Sequence, residues 1–356
     1  MKLAINLTLS FAMLGLCLWL MWPDPGTRDQ LSAALDAIDP GTFAPYLVGY
    51  LALLLVVHLC RSLRWHNLLA PLDKQIATGP LLALSSVGYM AILALPARLG
   101  EFVRPGLLRK YGISVTAGIG LVAVERIVDG LVISVGVFVA FFVLHGPDSP
   151  SWMMPTAYGA LGLFGAALAF LMFAMRWPAS TVKFCLTISL LPRLFPRLAG
   201  VVEVKLLEII RGFDVLKDQK NLGVFVLWTL VYWTANGIGL YVLARGFGLQ
   251  LGLVGAFATM GLVGVGIMLP NSPGLVGQFQ WFTLLGVSLY LPGAADKSSA
   301  LYPTAFLFAN VHYALQVAWY VTMGGLGLAS PWVSFHDLWT ARKVAPQPVT
   351  SDDPAS

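Results

Sequence analysis

The sequence predicts an all-α integral membrane protein, a polytopic bundle of about seven or eight transmembrane helices with one or two re-entrant segments. Of its 356 residues, 58% are hydrophobic and only 11% are charged. Soluble domains carry about 25% charged residues, and a water-soluble fold of this length needs far more polar surface. The apolar residues are also gathered into long runs, so the composition excludes a soluble enzyme.

Each spanning helix needs about 20 mostly apolar residues. Candidate runs lie at residues 3–22, 43–60, 79–95, 114–144, 155–175, 221–246, 251–270, 273–290 and 303–328. The first run could be a cleavable signal peptide, but it is longer than the usual hydrophobic region of about 7–15 residues. We therefore expect a first transmembrane helix there. We expect one membrane domain over residues 1–340 and a disordered cytoplasmic tail over 341–356.

The basic residues predict the orientation of the chain in the membrane. Segments 61–74, 98–110 and 176–220 together hold 15 of the 22 Lys and Arg residues, so we place them and the N-terminus in the cytoplasm. Segments 23–42 and 145–154 are mainly acidic and belong outside. The chain should therefore be a multi-pass protein of a bacterial cytoplasmic (inner) membrane.

This orientation conflicts with a membrane crossing by the run at 79–95. If the basic segments on both sides of it are cytoplasmic, the run cannot cross the membrane. It is short, opens with Gly79-Pro80 and closes at Pro96, which favours a re-entrant hairpin. Such backbone is tolerated where protein or a wet cavity covers it. A short ordinary span is the alternative, and the same choice stays open for residues 273–290.

Other site classes have little support in the sequence. The net charge of +5 comes from basic residues in short loops, which are topology signals and not a nucleic-acid patch. The three cysteines are isolated and the five histidines are scattered, so we expect neither a disulfide framework nor a metal site. The amphipathic stretch 201–216 is either an interfacial helix or a solvated linker helix.

The first charged motif is PARLGEFVRPGLLRK at residues 96–110. If this segment is helical, Arg98, Glu101 and Arg104 lie along one face. We expect Pro105 to end or kink that helix.

The second charged motif, AVERIVDG at residues 123–130, lies inside a long apolar run. Glu125 and Asp129 share a helix face, and Arg126 lies about 100° around it. A charge at mid-membrane costs several kcal/mol, so these residues must pair or face water. A buried ion-pair network is the structural alternative. We favour a wet cavity for a charged headgroup, because buried ion pairs stabilise weakly compared with apolar packing.

The third motif, MLPNSPGLVGQFQWF at residues 268–282, has a proline–glycine break between two apolar helices. Free amide groups at such a break, around Asn271 and Gly274, could bind an anion such as phosphate. A plain loop is the alternative. The break recurs 174 residues after that of the first motif, which suggests a weak internal repeat. His312 in the last run is either a core residue or part of the site.

These motifs together resemble the lysylphosphatidylglycerol synthase transmembrane family, over roughly residues 10–328. The resemblance implies a helical bundle with re-entrant segments that line a lipid-sized cavity, and flipping of a phospholipid-like substrate between leaflets. Arg98, Glu101 and Arg104 match the family's first charged set, and Glu125, Arg126 and Asp129 match its second. Gln280 stands where the family often has Glu, which puts a cationic headgroup in doubt.

We therefore expect a lipid translocator without cofactor and without enzymatic activity, acting on a phospholipid or polyprenyl-phosphate lipid that a separate enzyme makes. The headgroup-binding residues would be Arg61, Arg64, Arg98, Glu101, Arg104, Glu125, Arg126, Asp129, Asn271, Gly274, Gln278, Gln280 and His312. Arginines and the break amides would bind the phosphate, and the carboxylates would balance them. The alternatives are a lipid-modifying membrane enzyme and a non-catalytic partner of a biosynthetic enzyme. No nucleic-acid partner is expected, and a homo-oligomer is one option.

Overall fold

The computed structural model describes residues 12, 14–17, 19, 27–72, 75–143, 151, 153–189, 191–194, 196–268, 272–334 and 336–337. The described chain is helical and contains no strand, which confirms the predicted all-α class. The predicted first transmembrane run at 3–22, the tail at 341–356 and Asn271 lie largely or wholly outside these residues.

The other predicted apolar runs coincide with helices to within a few residues. The α-helices are α1 Thr27–Asp36, α2 Pro40–Leu63, α3 Trp65–Leu69, α4 Thr78–Ala94, α5 Val103–Leu108, α6 Val115–Val143, α7 Met153–Arg176, α8 Pro178–Ile188, α9 Leu191–Leu194, α10 Pro196–Arg211, α11 Gln219–Gly246, α12 Leu253–Met268, α13 Gln278–Ser288 and α14 Tyr302–Ala329. Short 3₁₀ segments lie at Ala70–Leu72, Pro96–Phe102, Arg109–Tyr111, Gly212–Lys217 and Pro273–Leu275.

Three stretches are long and apolar enough to cross a membrane, namely Pro40–Leu72, Met154–Arg176 and Gln219–Gly246. Helices α6 and α14 have 29 and 28 residues and therefore also reach about 40 Å in length. By contrast, α4 and α12 are shorter apolar helices. The described chain thus combines long helices with two short ones that end inside the bundle.

The first short helix turns back on itself after Leu95. The chain leaves α4 and returns through the 3₁₀ segment Pro96–Phe102 and then α5, packed against α4. Gly100 makes this return possible, since a Cβ there would lie 2.2 Å from the carbonyl oxygen of Ala91. We call α4 to α5 the first hairpin. The continuous helix considered for residues 96–110 is therefore wrong, and Pro105 neither ends nor kinks it but lies within α5.

The second hairpin consists of α12, the break and α13. Its two arms touch closely at glycines: a Cβ on Gly266 would meet the Phe282 ring, and one on Gly286 would meet Thr259. The break needs glycine for its backbone, because Gly274 and Gly277 have φ angles of +64° and +77°. L-residues with side chains rarely adopt such angles. The two helices and the break predicted for the third motif are confirmed.

The tips of the two hairpins meet. A Cβ on Gly274 would lie 3.7 Å from the carbonyl oxygen of Leu93. The Tyr313 hydroxyl of α14 donates a hydrogen bond of 2.8 Å to the Gly274 carbonyl. At the open end of the first hairpin, Gly79 touches Trp332, just past the end of α14. The hairpins therefore enter the bundle from opposite ends.

An internal repeat underlies this arrangement. Leu95, Pro96 and Gly100 recur as Leu269, Pro270 and Gly274 at a constant offset of 174 residues. Their helices correspond as well, α2 to α11, α4 to α12 and α6 to α14. In space α2 packs along α11, while α4 packs on α14 and α12 packs on α6. Each hairpin thus rests on the long helix of the other half.

The connection between the halves contains the amphipathic stretch. It forms α10 and then the 3₁₀ segment Gly212–Lys217. Its inner side is tied to α6 by a hydrogen bond from the Thr116 hydroxyl to Glu208. Its outer side leaves Val201 and Val204 more than half exposed. An interfacial helix and a solvated linker both remain compatible with this geometry.

Candidate functional site

A buried ion-pair cluster joins α2, α6 and α11. The guanidinium of Arg64, which is fully buried, donates to Asp129 at 2.6 and 2.8 Å and to Glu125 at 2.6 Å. It also donates to the Thr229 hydroxyl at 2.9 Å. Glu125 and Asp129 can share this partner because residues four apart lie on one helix face. Arg64 is therefore neutralised within the protein.

The first hairpin is attached to the same cluster through Arg104 of α5. Arg104 donates to the second oxygen of Glu125 at 3.0 Å and is only 3% exposed. Its guanidinium also lies over the rings of Trp65 and Tyr89, at 4.4 and 4.9 Å from their centroids. Glu125 thus bridges two arginines, and its charge is fully engaged by them.

Next to this cluster lies a cavity of about 400 Å³ in the centre of the bundle. Binding sites for small ligands commonly measure about 300–1,000 Å³. Most of its wall is apolar or aromatic, and it is built by α2, α4, α6, α7, α11, α12, α13 and α14. The wall includes Leu163 of α7, which is 66% exposed. The cavity therefore extends to an apolar outer surface between helices.

Charged residues on the cavity wall cluster at one end. Within the described chain they are Arg61, Glu101, Arg126 and Asp129. Arg126 is 34% exposed and lies 3.9 Å from Glu125, with Glu101 as a further electrostatic neighbour. Apart from Asp129, which is paired with Arg64, the wall at this end carries two arginines and one carboxylate among the described residues.

Arg61 differs from the other arginines in its surroundings. Its guanidinium lies 4.2 Å from the Tyr89 centroid and donates to the Tyr320 hydroxyl at 3.0 Å. The ring of Tyr232 is 5.8 Å away. No carboxylate of the described residues lies within 4 Å of the Arg61 guanidinium, whereas Arg64, Arg104 and Arg126 each have one. Aromatic rings thus enclose this cation, and among the described residues Glu125 stabilises its charge only from beyond 4 Å.

The opposite end of the cavity is polar but uncharged. His312 lies there, only 3% exposed, and neither ring nitrogen has a hydrogen-bond partner. Asn236 and Gln316 also line the wall, and Gln316 donates to the Tyr50 hydroxyl at 3.0 Å. His312 and Tyr320 are eight residues apart on α14, so the two ends are separated by about 12 Å.

Two glutamine side chains accept hydrogen bonds from amides of the second hairpin. The Gln278 side chain accepts from the Ser272 amide at 2.9 Å and donates to the Gly266 carbonyl at 2.8 Å. The Gln280 side chain accepts from the Gly277 amide at 2.9 Å. These two amides are already satisfied, and both glutamines stabilise the break; the phosphate site expected around Asn271 and Gly274 stays a prediction.

The predicted site residues therefore divide into three groups. Arg61, Glu101, Arg126, Asp129 and His312 line the cavity. Arg64, Arg104 and Glu125 form the ion-pair cluster behind it, while Gly274, Gln278 and Gln280 build the second hairpin. The side chain of Arg98 and all of Asn271 lie outside the described residues. Among the residues that the structure describes, no group of His, Cys, Asp or Glu could hold a metal ion.

Several wall residues were not singled out from the sequence. They are mainly aromatic or amide side chains, namely Tyr89, Tyr232, Trp233, Asn236, Gln316 and Tyr320. A usable signal was present in the last helix, where His312, Gln316 and Tyr320 recur every four residues. That spacing places them on one helix face and marks a polar stripe in an apolar helix.

Comparison with known proteins places the chain in a family. The model of the family described as "Lysylphosphatidylglycerol synthase TM region" matches residues 4–319. The chain belongs to this family. The match spans both hairpins, the ion-pair cluster and most of the cavity wall, and it confirms the resemblance drawn from the motifs. The family match also supports a membrane location for the bundle. Searches of curated proteins and of solved structures return no match.

Proposed function

We propose that this protein flips a phospholipid or polyprenyl-phosphate lipid between the leaflets of a bacterial inner membrane, with the lipid phosphate bound at Arg61. The observation that carries the proposal is a cation on the cavity wall with no carboxylate within 4 Å among the described residues. An arginine at mid-membrane costs about 3 kcal/mol on insertion scales and more in simulations. An anionic ligand at Arg61 would offset this cost.

Arg126 completes the phosphate site in this proposal. It lies on the same wall and is 34% exposed, so its guanidinium can approach a second phosphate oxygen. Arginine suits such contacts because its planar group can donate two parallel hydrogen bonds. Arg64, Arg104 and Glu125 support the site from behind, where they fix α2, α5 and α6 relative to one another.

The shape of the bundle supports a path for the rest of the lipid. The cavity reaches the exposed, apolar Leu163 on α7. Acyl chains could remain in the hydrocarbon beside this surface while the headgroup enters the cavity. We further propose that both hairpins are re-entrant, since they come from opposite ends of the bundle and meet at Gly274 and Leu93. Their tips would then separate the two sides of the membrane.

The exposed basic residues Arg109 and Lys110 and the segment 176–220 would face the cytoplasm, together with the N-terminus. Arg61, Arg64 and Arg104, which the sequence placed in cytoplasmic segments, lie instead at the cavity or in the ion-pair cluster. The protein would carry out no chemical change, so a separate enzyme would supply the lipid.

Transport in liposomes tests this proposal. Purified protein is reconstituted with a phospholipid labelled on its headgroup, and the label that becomes accessible on the opposite leaflet is measured over time. We expect transfer by the wild type, loss with Arg61→Ala, and partial recovery with Arg61→Lys, which keeps the charge. Arg109→Ala is the matched control, because Arg109 is an exposed arginine outside the cavity.

The same experiment distinguishes the competing classes. A lipid-modifying enzyme would change the mass of the lipid, which mass spectrometry detects after incubation. A non-catalytic partner would leave the lipid both unmoved and unchanged. The proposal is abandoned if Arg61→Ala moves the label as fast as the wild type.

A further inference from the structure

The uncharged end of the cavity lies beyond the reach of a phosphate on Arg61. Along α14, His312 is eight residues from Tyr320, which corresponds to about 12 Å. A phosphate group alone spans only part of this distance. A ligand that fills both ends therefore carries a further group beyond its phosphate.

Two polar groups on this part of the wall lack hydrogen-bond partners among the described residues. Both ring nitrogens of His312 are buried and make no hydrogen bond. The Asn236 side chain faces the cavity without a hydrogen bond to another described residue. A buried polar group without a partner costs about 1–3 kcal/mol. A ligand that supplies both donors and acceptors would remove this cost.

The chemistry of the wall restricts what that group can be. No carboxylate and no basic side chain among the described wall residues lies at this end, because the charged ones cluster around Arg61. An amino group would lack a counter-ion here. Hydroxyl groups fit better, since each one both donates and accepts, as do the side chains of Asn236 and neutral His312.

Aromatic rings supply flat surfaces beside these polar groups. The Phe279 and His312 rings lie 4.9 Å apart, and both line the cavity. A ring that bears hydroxyl groups has apolar C–H faces that pack on such surfaces and polar edges that bond to amides. Pockets commonly combine aromatic walls with a few placed polar groups in this way.

We infer that the cavity holds a second subsite for an uncharged, polyhydroxylated ring, a sugar or a cyclitol, linked to the lipid phosphate. This inference rests on the proposed function, because it assigns the phosphate to Arg61. Asn236 and His312 bind the ring hydroxyls, while Phe279 contacts a ring face. The substrate is accordingly an anionic lipid with a polyol headgroup.

Binding of three short-chain lipids to the purified full-length protein tests the two subsites separately. The probes are dioctanoyl phosphatidylinositol, which has phosphate and ring, dioctanoyl phosphatidic acid, which has phosphate alone, and glucosyl dioctanoylglycerol, which has a ring alone. The wild type should bind the first probe about tenfold more tightly than the second, as expected from one to two extra hydrogen bonds.

Variants of each end should separate the contributions. Asn236→Leu and His312→Phe should each weaken phosphatidylinositol about tenfold and leave phosphatidic acid within about twofold. Arg61→Met should weaken both phosphate lipids and spare the glucosyl lipid. Asn310→Leu is the control, since Asn310 lies on α14 and donates to the Phe306 carbonyl away from the cavity wall. If His312→Phe does not fold, Asn236→Leu decides alone.

The outcomes distinguish the two proposals. Equal binding of phosphatidylinositol and phosphatidic acid by the wild type, or equal losses for both in the Asn236→Leu variant, overturns the ring subsite and leaves the phosphate site standing. If Arg61→Met binds both phosphate lipids normally, the proposed function fails. In that case a selective loss of the two ring-bearing probes in Asn236→Leu still supports the ring subsite.

Discussion

Arg61 and Arg64 lie three residues apart, but replacing each with Met should have different effects. Arg64→Met should lower the stability, whereas Arg61→Met should leave it nearly unchanged and abolish lipid transfer. Arg64 donates four hydrogen bonds to Glu125, Asp129 and Thr229. In Arg64→Met the two carboxylates lose this partner while they stay buried. Removing one member of a buried ion pair costs about 3–5 kcal/mol. For a domain of this size we expect the melting temperature to fall by about 5–15 °C.

Arg61→Met removes much less from the folded state. The guanidinium donates to the Tyr320 hydroxyl and lies over the Tyr89 ring, contacts worth about 1 kcal/mol each. Against this loss, the variant no longer holds a cation without a carboxylate within 4 Å among the described residues, which is itself unfavourable. We therefore expect its stability to stay within about 1 kcal/mol of the wild type, while lipid transfer is lost.

Thermal unfolding of the purified variants in detergent measures both effects. A charge-balanced double variant, Arg64→Met with Asp129→Asn, provides the control. It removes one positive and one negative charge and keeps the Arg104–Glu125 pair. It should recover at least half of the lost melting temperature. The reasoning is refuted if Arg64→Met melts within about 2 °C of the wild type, or if Arg61→Met is destabilised as strongly as Arg64→Met.

Three further predictions concern the hairpins and the orientation. Gly100→Val should abolish the folded first hairpin, since its Cβ would clash with backbone at 2.2 Å; loss of a monodisperse chromatography peak measures this, and Gly165→Ala, with nothing within 4 Å, should fold normally. Gln278→Leu should lower the free energy of unfolding by about 1–3 kcal/mol for each of the two backbone groups it leaves unpaired, and chemical denaturation that shows no loss would contradict this. A variant that retains Cys185 alone should react with a membrane-impermeant maleimide in inside-out vesicles, and labelling in intact spheroplasts would contradict the cytoplasmic position of α8.

The helices were predictable because their signal is local. Long apolar runs predict the bounds of the long helices. The run at 221–246, for example, differs from α11 only at its start. The return of the chain after Leu95 was expected from a short apolar run closed by Pro96, but the basic residues used to argue that it re-enters the membrane include Arg64 and Arg104, which are buried in the ion-pair cluster. Such inferences need only composition and charge along the sequence.

The roles of the individual arginines could not be predicted in the same way. Arg61 and Arg64 both fall in a basic segment that we assigned as a loop, yet α2 continues to Leu63 and α3 begins at Trp65. Arg64 is buried because Asp129 and Glu125, more than 60 residues away in the chain, receive its guanidinium. This pairing depends on how α2 and α6 pack, which local composition does not encode.

The capping of the second break was missed for a related reason. A proline–glycine break predicts free amides, but whether they stay free depends on side chains that follow. Gln278 and Gln280 fold back onto the Ser272 and Gly277 amides. The sequence contained both glutamines, and their position one and three residues after Gly277 is a capping signal.

Because of the internal repeat, the two hairpins can be compared residue by residue. At the offset of 174 residues, Arg104 of the first hairpin corresponds to Gln278 of the second. Gln278 ties its hairpin together with two hydrogen bonds to backbone, and no charge is needed. The second hairpin therefore shows that neutral side chains can hold a break at the corresponding position, although the backbone there differs from that of the first hairpin. Burying charges in one half of a repeated scaffold costs free energy. A charged ligand bound in the adjoining cavity would offset this cost, which would explain why this half keeps the charges.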